Sequence, residues 1–415
     1  MVCRSKKLFY TIEGINGFAA VYYSNYIFFF MQKHYGFDTL ENLLLAALNG
    51  IVYTIASLQG GKFAQKHGAV LSIGIGISGV LLSLFCGGLF HALTAQILAY
   101  VFWTISVCFI WPALEAIVSD GETDNLSTMV GIYNITWAGS CALSFFTTGM
   151  LLEKLGMSSI FWFPFGLHLL QLLVVFPIAI IAMKQESQKP AIFVSKSISK
   201  RPSYSKKFLH MAWLANPFSY VAINTIIPLI PSISRHLGLS TGLAGIVCSV
   251  WMFTRLGTFC VLRKWTGWHY RFRWIIGAFS LMITCYAGML LANSIVMLLF
   301  AQIGFGLSIG IIYYSSLYYS MDASDEKGSH GGLHEAMIGT GLFAGPAFSA
   351  ACLYLIPSAA KGVSGLSVDG LLLIGFTGLI WMGQFRFRNL SKITNEQEVQ
   401  TVTGSSEKAT SEANV

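Results

Sequence analysis

A few ionisable residues interrupt long apolar runs in this sequence. Glu13 stands in the run 8–30, Arg255 in the run 243–262, and His334-Glu335 opens the run 333–356. A charged side chain in the middle of a bilayer costs on the order of 3 kcal/mol on insertion scales, so each is a candidate functional group. A carboxyl in an apolar span can take up and release a proton, and an adjacent histidine can relay one. Glu13, His334 and Glu335 are therefore the candidates for proton coupling. Arg255 offers a planar fork of donors that suits an anionic solute. The competing readings are structural: Glu13 reaching the interface or pairing with Arg255, Arg255 snorkelling to water, and His334-Glu335 sitting in the interface. Glu115 falls nearer the cytoplasmic face and Asp369 nearer the outer one.

Uncharged polar and aromatic residues within the runs could line a solute path. In the first half they are Asn16, Tyr22, Asn25, Trp103, Asn134 and Trp137. In the second they are Asn216, Tyr220, Asn224, Trp251, Gln302 and Tyr313. Amide and aromatic groups suit hydroxylated or amphipathic organic ligands, although any one of them can equally serve as an interhelical hydrogen bond.

Such residues need helices that cross a bilayer to position them. Of 415 residues, 54% are hydrophobic and 11% charged, against roughly 25% charged in soluble globular proteins. That excludes a soluble enzyme, a nucleic-acid binder and a disordered chain. A spanning helix needs about 20 apolar residues. Twelve such runs occur, at 8–30, 43–58, 69–90, 93–118, 129–152 and 160–183, then 208–233, 243–262, 274–292, 295–319, 333–356 and 366–385. The first is too long for a signal peptide and is expected to be an uncleaved helix. The eight cysteines form no C-x-x-C pair and read as small apolar residues; no metal and no cofactor is expected.

Lys and Arg divide unequally between alternate connections. With a cytoplasmic N-terminus, 21 lie on the inside and 4 outside, Arg255 being the remaining one of 26. This predicts a multi-pass protein of the cytoplasmic (plasma or inner) membrane with both termini cytoplasmic, in contact with lipid and not with nucleic acid. The basic segment 184–207 separates two six-span bundles, 1–183 and 208–390, and a polar tail follows at 391–415. The bundles repeat. A shift of 200 places Asn16 on Asn216, Phe18 on Phe218, Val21 on Val221, Gly131 on Gly331 and Gly139 on Gly339. Repeated halves place a substrate site near the midplane, between parts that rock against each other.

Local motifs carry a resemblance. The connection after span 2 holds Gly61, Lys66 and Gly68 of a G-x-x-x-D-R/K-x-G-R/K-R/K signature, with Gln65 at the acidic position. Span 4 ends in a P-x-x-x-A-x-x-x-D pattern from Pro112 to Asp120, with Tyr100 where an arginine is usual. Span 5 opens Gly131-Ile-Tyr133-Asn134-Ile-Thr-Trp137, a start common in bacterial drug and metabolite carriers, and span 11 contains Gly341, Gly345 and Pro346. With twelve spans in two repeated halves, the chain resembles the major facilitator superfamily over residues 8–388. The resemblance implies an all-α membrane protein of twelve transmembrane helices in two pseudo-symmetric six-helix bundles. It further implies a monomeric secondary active transporter that moves a small organic solute by alternating access, coupled to protons, as symporter or antiporter. A non-transporting sensor of the same fold is the alternative. A remote alternative is an intramembrane serine protease built on Gly306-Leu-Ser308-Ile-Gly310 with His334 or His168. That motif needs a strand–turn–helix setting, whereas the sequence puts it inside span 10.

Overall fold

A computed structural model describes residues 2–119, 126–186, 205–323, 327–356 and 366–383. They form α1 (Val2–Ser24), α2 (Ile27–Tyr35), α3 (Thr39–His67), α4 (Ala69–Leu89), α5 (Leu93–Val107), α6 (Trp111–Ser119), α7 (Leu126–Leu155) and α8 (Ser159–Glu186). The second half contains α9 (Ser205–His236), α10 (Thr241–Cys248), α11 (Val250–Lys264), α12 (Phe272–Leu290), α13 (Ile295–Ala323) and α14 (Lys327–Leu355), with α15 (Leu366–Gly383) last. Ten segments of the described residues are long and apolar enough to cross a membrane. Residues 187–204 of the linker, Asp120 and the tail lie outside the described residues.

The helices map onto the twelve predicted spans, but three spans are broken. Span 1 divides into α1 and α2 at Asn25-Tyr26, span 4 into α5 and α6 at residues 108–110, and span 8 into α10 and α11 at Ser249. Only the break in span 4 has a proline beside it, Pro112 at the start of α6; the breaks in spans 1 and 8 have none, and α9 runs through Pro217, Pro228 and Pro231 without interruption. Irregular backbone at membrane depth survives only where protein covers it. Gln302 does this for span 8. Its Nε2 donates to the Val247 carbonyl at 2.9 Å, and its Oε1 accepts from the Trp251 N–H at 3.4 Å. Thr104 Oγ1 donates to Asn49 Oδ1 at 2.5 Å one turn before the break in span 4.

Local chemistry sets the turns at the membrane surfaces. Asp38 caps α3, accepting from Leu40 and Glu41 N–H at 2.7 and 3.1 Å, while Glu41 accepts from Asp38 N–H at 2.7 Å. Gly68 joins α3 to α4 alone, at a φ of +92° that side-chain-bearing residues rarely adopt. The outer surface is apolar, with Leu82, Phe300 and Ile374 exposed to lipid.

Two seams join the halves, related by the repeat. In one, α14 packs along α3; in the other, α7 packs along α10 and α11. Small residues let the backbones approach. A Cβ on Gly50 would strike the backbone of Leu342 and Phe343, and one on Gly149 would strike that of Thr241. At the end bearing Lys62, Lys66, Arg263 and Lys264, here the basic end, Gly332 lies on Gly61, where an added Cβ would come within 2.9 Å of the Gly61 Cα. At the far end Leu43, Leu229 and Ala350 form a small apolar plug. Thr39 and Ser232 hydroxyls meet there at 2.8 Å, and Glu153 accepts from the Gly242 N–H at 2.8 Å.

Candidate functional site

Between these two closed ends lies a cavity of about 150 Å³, room for roughly five waters or a small organic molecule. Both halves line it. Of the sequence candidates, Asn25, Trp103, Trp137, Tyr220, Asn224, Trp251, Arg255, Tyr313 and Glu335 are in its wall. The rest face elsewhere. Tyr22 donates to or accepts from Ser159 at 3.1 Å and stacks on Phe163, inside the first bundle. Asn16, Asn134 and Asn216 are fully buried outside the wall, and Gln302 straps the break in span 8. Ser24, Phe28, Asn49, Tyr53, Tyr100, Trp111 and Tyr133 complete the polar and aromatic lining and were not among the candidates.

Arg255 is 4% exposed and faces the bundle interior. Its guanidinium carbon lies 4.5 Å from the Trp137 ring centre, 4.6 Å from Tyr313 and 5.5 Å from Phe259. Such contacts stabilise a desolvated cation by about 2 kcal/mol. Glu13 does not pair with it: the Glu13 carboxyl is buried beside the Trp111 indole, with no bond to Arg255. The expectation of a Glu13–Arg255 pair therefore gives way to an arginine held by rings.

The carboxyls gather instead below the cavity, toward the basic end. Tyr53 on α3 donates to Glu335 Oε2 on α14, a bond between the halves. Glu115 on α6, Glu335 and His334 bring one donor atom each within 4.8 Å of one another. The Glu115 carboxyl is buried beside that of Glu335, and Gly331 approaches it closely enough that a Cβ there would lie 3.2 Å from Oε2. His334 Nδ1 is 3.5 Å from Ser316 Oγ, and its Nε2 has no partner. Glu13 is within electrostatic range of Glu335. The group can hold protons, and it spans the joint between the halves.

The signature positions take structural places. Gly61 lies under Gly332, Gly68 makes the α3–α4 turn, and Gln65 and Lys66 are exposed. Gly341 and Gly345 let α14, with Pro346 inside it, approach the Pro217 and Val221 carbonyls of α9. Ser308 donates to the Phe305 carbonyl at 2.7 Å within α13, so the G-x-S-x-G stretch is continuous helix.

The sequence matches the family model of the Major Facilitator Superfamily over residues 14–346. The chain belongs to that family. It is a secondary transporter of small solutes, not an enzyme. No curated protein sequence matches it significantly. Among solved structures it resembles the human organic anion transporter MFSD10 (TETRAN), with a TM-score of 0.68 at 14% identity over 91% of this chain and 99% of that one. It also resembles the nucleoside transporter NupG, at a TM-score of 0.65 and 12% identity over 91% and 99% of the two chains. A POT family transporter in complex with 5-aminolevulinic acid gives 0.67 at 9% identity over 91% and 95%. These likenesses are likenesses of fold.

Proposed function

We propose that this chain is a proton-coupled transporter that carries a small organic solute across the cytoplasmic membrane as a monomer, with its basic end and both termini in the cytoplasm. Glu335 carries the reading. It lines the cavity, it accepts a hydrogen bond from Tyr53 of the opposite half, and it lies within 4.8 Å of Glu115, also of the opposite half. Ionising two buried carboxyls this close is costly, so the closed joint favours the state that holds a proton. Losing that proton sets like charges against each other across the joint between α14 and α6. The same group thus reports on solute and closure together, which is the requirement for coupling. Glu13 and His334 belong to the same proton-holding group.

The experiment is uptake into proteoliposomes with and without an imposed pH gradient. Accumulation that a protonophore collapses supports the reading, and Glu335→Gln should abolish it. Solute binding with no flux in either direction would replace the carrier by a sensor of the same fold.

A further inference from the structure

The cavity wall has hydrogen-bond donors with nothing to donate to. Arg255 has five N–H donors. Its only hydrogen bond among the described residues runs from Nη2 to the Tyr220 hydroxyl at 3.4 Å, and Nε is buried without a partner. The indole N–H groups of Trp103 and Trp251 and the amide nitrogen of Asn25 are likewise buried and unpartnered, and all four residues line the cavity. The rings of Trp137, Tyr313 and Phe259 hold the Arg255 cation by its charge and accept no strong hydrogen bond from it. Buried donors left unmade are costly, and a buried cation more so.

Resting on the transporter reading above, we propose that the solute is a flat, unsaturated carboxylate with further hydrogen-bond-accepting oxygens on its ring system. The carboxylate takes the free edge of Arg255, where a planar fork meets two oxygens in parallel. The ring system lies among the aromatic side chains of the wall, as offset or edge contacts. The further oxygens accept from the Trp103 and Trp251 indoles and from Asn25. The cavity volume of about 150 Å³ sets the size at about ten non-hydrogen atoms or fewer, since a cavity of this volume holds a benzene ring with little to spare.

Three probes test this on the purified full-length chain: 4-pyrone-2-carboxylate, its neutral carboxamide, and benzoate, which keeps the charge and the flat body but lacks the ring oxygens. Affinity is read by calorimetry or by quenching of tryptophan fluorescence. The expected order is 4-pyrone-2-carboxylate, then benzoate, then the carboxamide. Arg255→Gln should weaken 4-pyrone-2-carboxylate at least tenfold and the carboxamide by much less, and an unfolding temperature close to that of the wild type shows that the variant is folded. Trp251→Phe keeps a ring and removes the N–H. It should weaken 4-pyrone-2-carboxylate and leave benzoate nearly unchanged. The proposal is overturned if the carboxamide binds as well as the acid, if Arg255→Gln does not discriminate, or if none of the three binds. Binding in the expected order with no counterflow in proteoliposomes would sink the transporter reading alone and leave the ligand class standing.

Discussion

Closure of the basic end should depend on a proton at the Glu115–Glu335 pair. Their oxygens approach within 4.8 Å. At an effective dielectric constant of about 20, two unit charges at that distance repel by about 3.5 kcal/mol. Around the pair stand Glu13 on α1, Tyr53 on α3, Tyr133 on α7, Tyr313 on α13 and His334 on α14. Apart from His334 none of these can carry positive charge, so little offsets the repulsion once both carboxyls ionise. The open-to-closed ratio at this end should rise by a few hundred-fold between the protonated and fully ionised pair. Spin labels on Lys62→Cys, at the end of α3, and Lys264→Cys, at the end of α11, lie on opposite halves, and both positions are exposed. The distance between them should be short and narrow at low pH and gain a longer component as pH rises. Glu115→Gln removes one charge while keeping the shape, so that variant should stay closed across the range. A wild-type distance distribution indifferent to pH, or an unchanged pH response in Glu115→Gln, would refute the argument.

Other outcomes follow from the same geometry. Glu13→Gln should abolish gradient-driven accumulation yet leave solute exchange, measured by counterflow; accumulation at wild-type level would move coupling to Glu335 and His334 alone. Gln302→Leu should destabilise the protein by about 1–3 kcal/mol in a denaturant titration, because the Val247 carbonyl and Trp251 N–H lose their partner. Gly50→Val should cost about 1–3 kcal/mol by overpacking the α3–α14 seam, where backbone and not side chain is in the way. Ser195→Cys should react with an impermeant thiol reagent only after intact cells are permeabilised, the outcome that the charge asymmetry of the sequence predicts.

The spans were legible because each is long, apolar and bounded by polar residues. Span 3, expected over 69–90, is α4 at Ala69–Leu89. The break in span 4 has Pro112 beside it in the sequence; those in spans 1 and 8 were not legible, because Asn25-Tyr26 and Ser249 have no glycine or proline to announce them, and the break at Ser249 is held by a tertiary partner, Gln302. Polar residues could be found within each span, but their azimuth could not. Consecutive helical residues differ by about 100°, so a single step turns a side chain from the cavity into its own bundle. Tyr22 and Asn25 are three residues apart, yet one meets Ser159 and the other lines the cavity. The internal repeat contains part of the missing information. Asn16 and Asn216 occupy equivalent places and share one fate, both fully buried and outside the wall. Glu115 shows where even the repeat falls silent. Glu335 is its neighbour across the joint although 220 positions separate them, and no periodicity within either half relates the two. The two halves run the same way through the membrane, so the repeat places equivalent positions at one and the same end. Glu115 and Glu335 are not equivalent positions, and they meet only because α6 and α14 pack together at the joint.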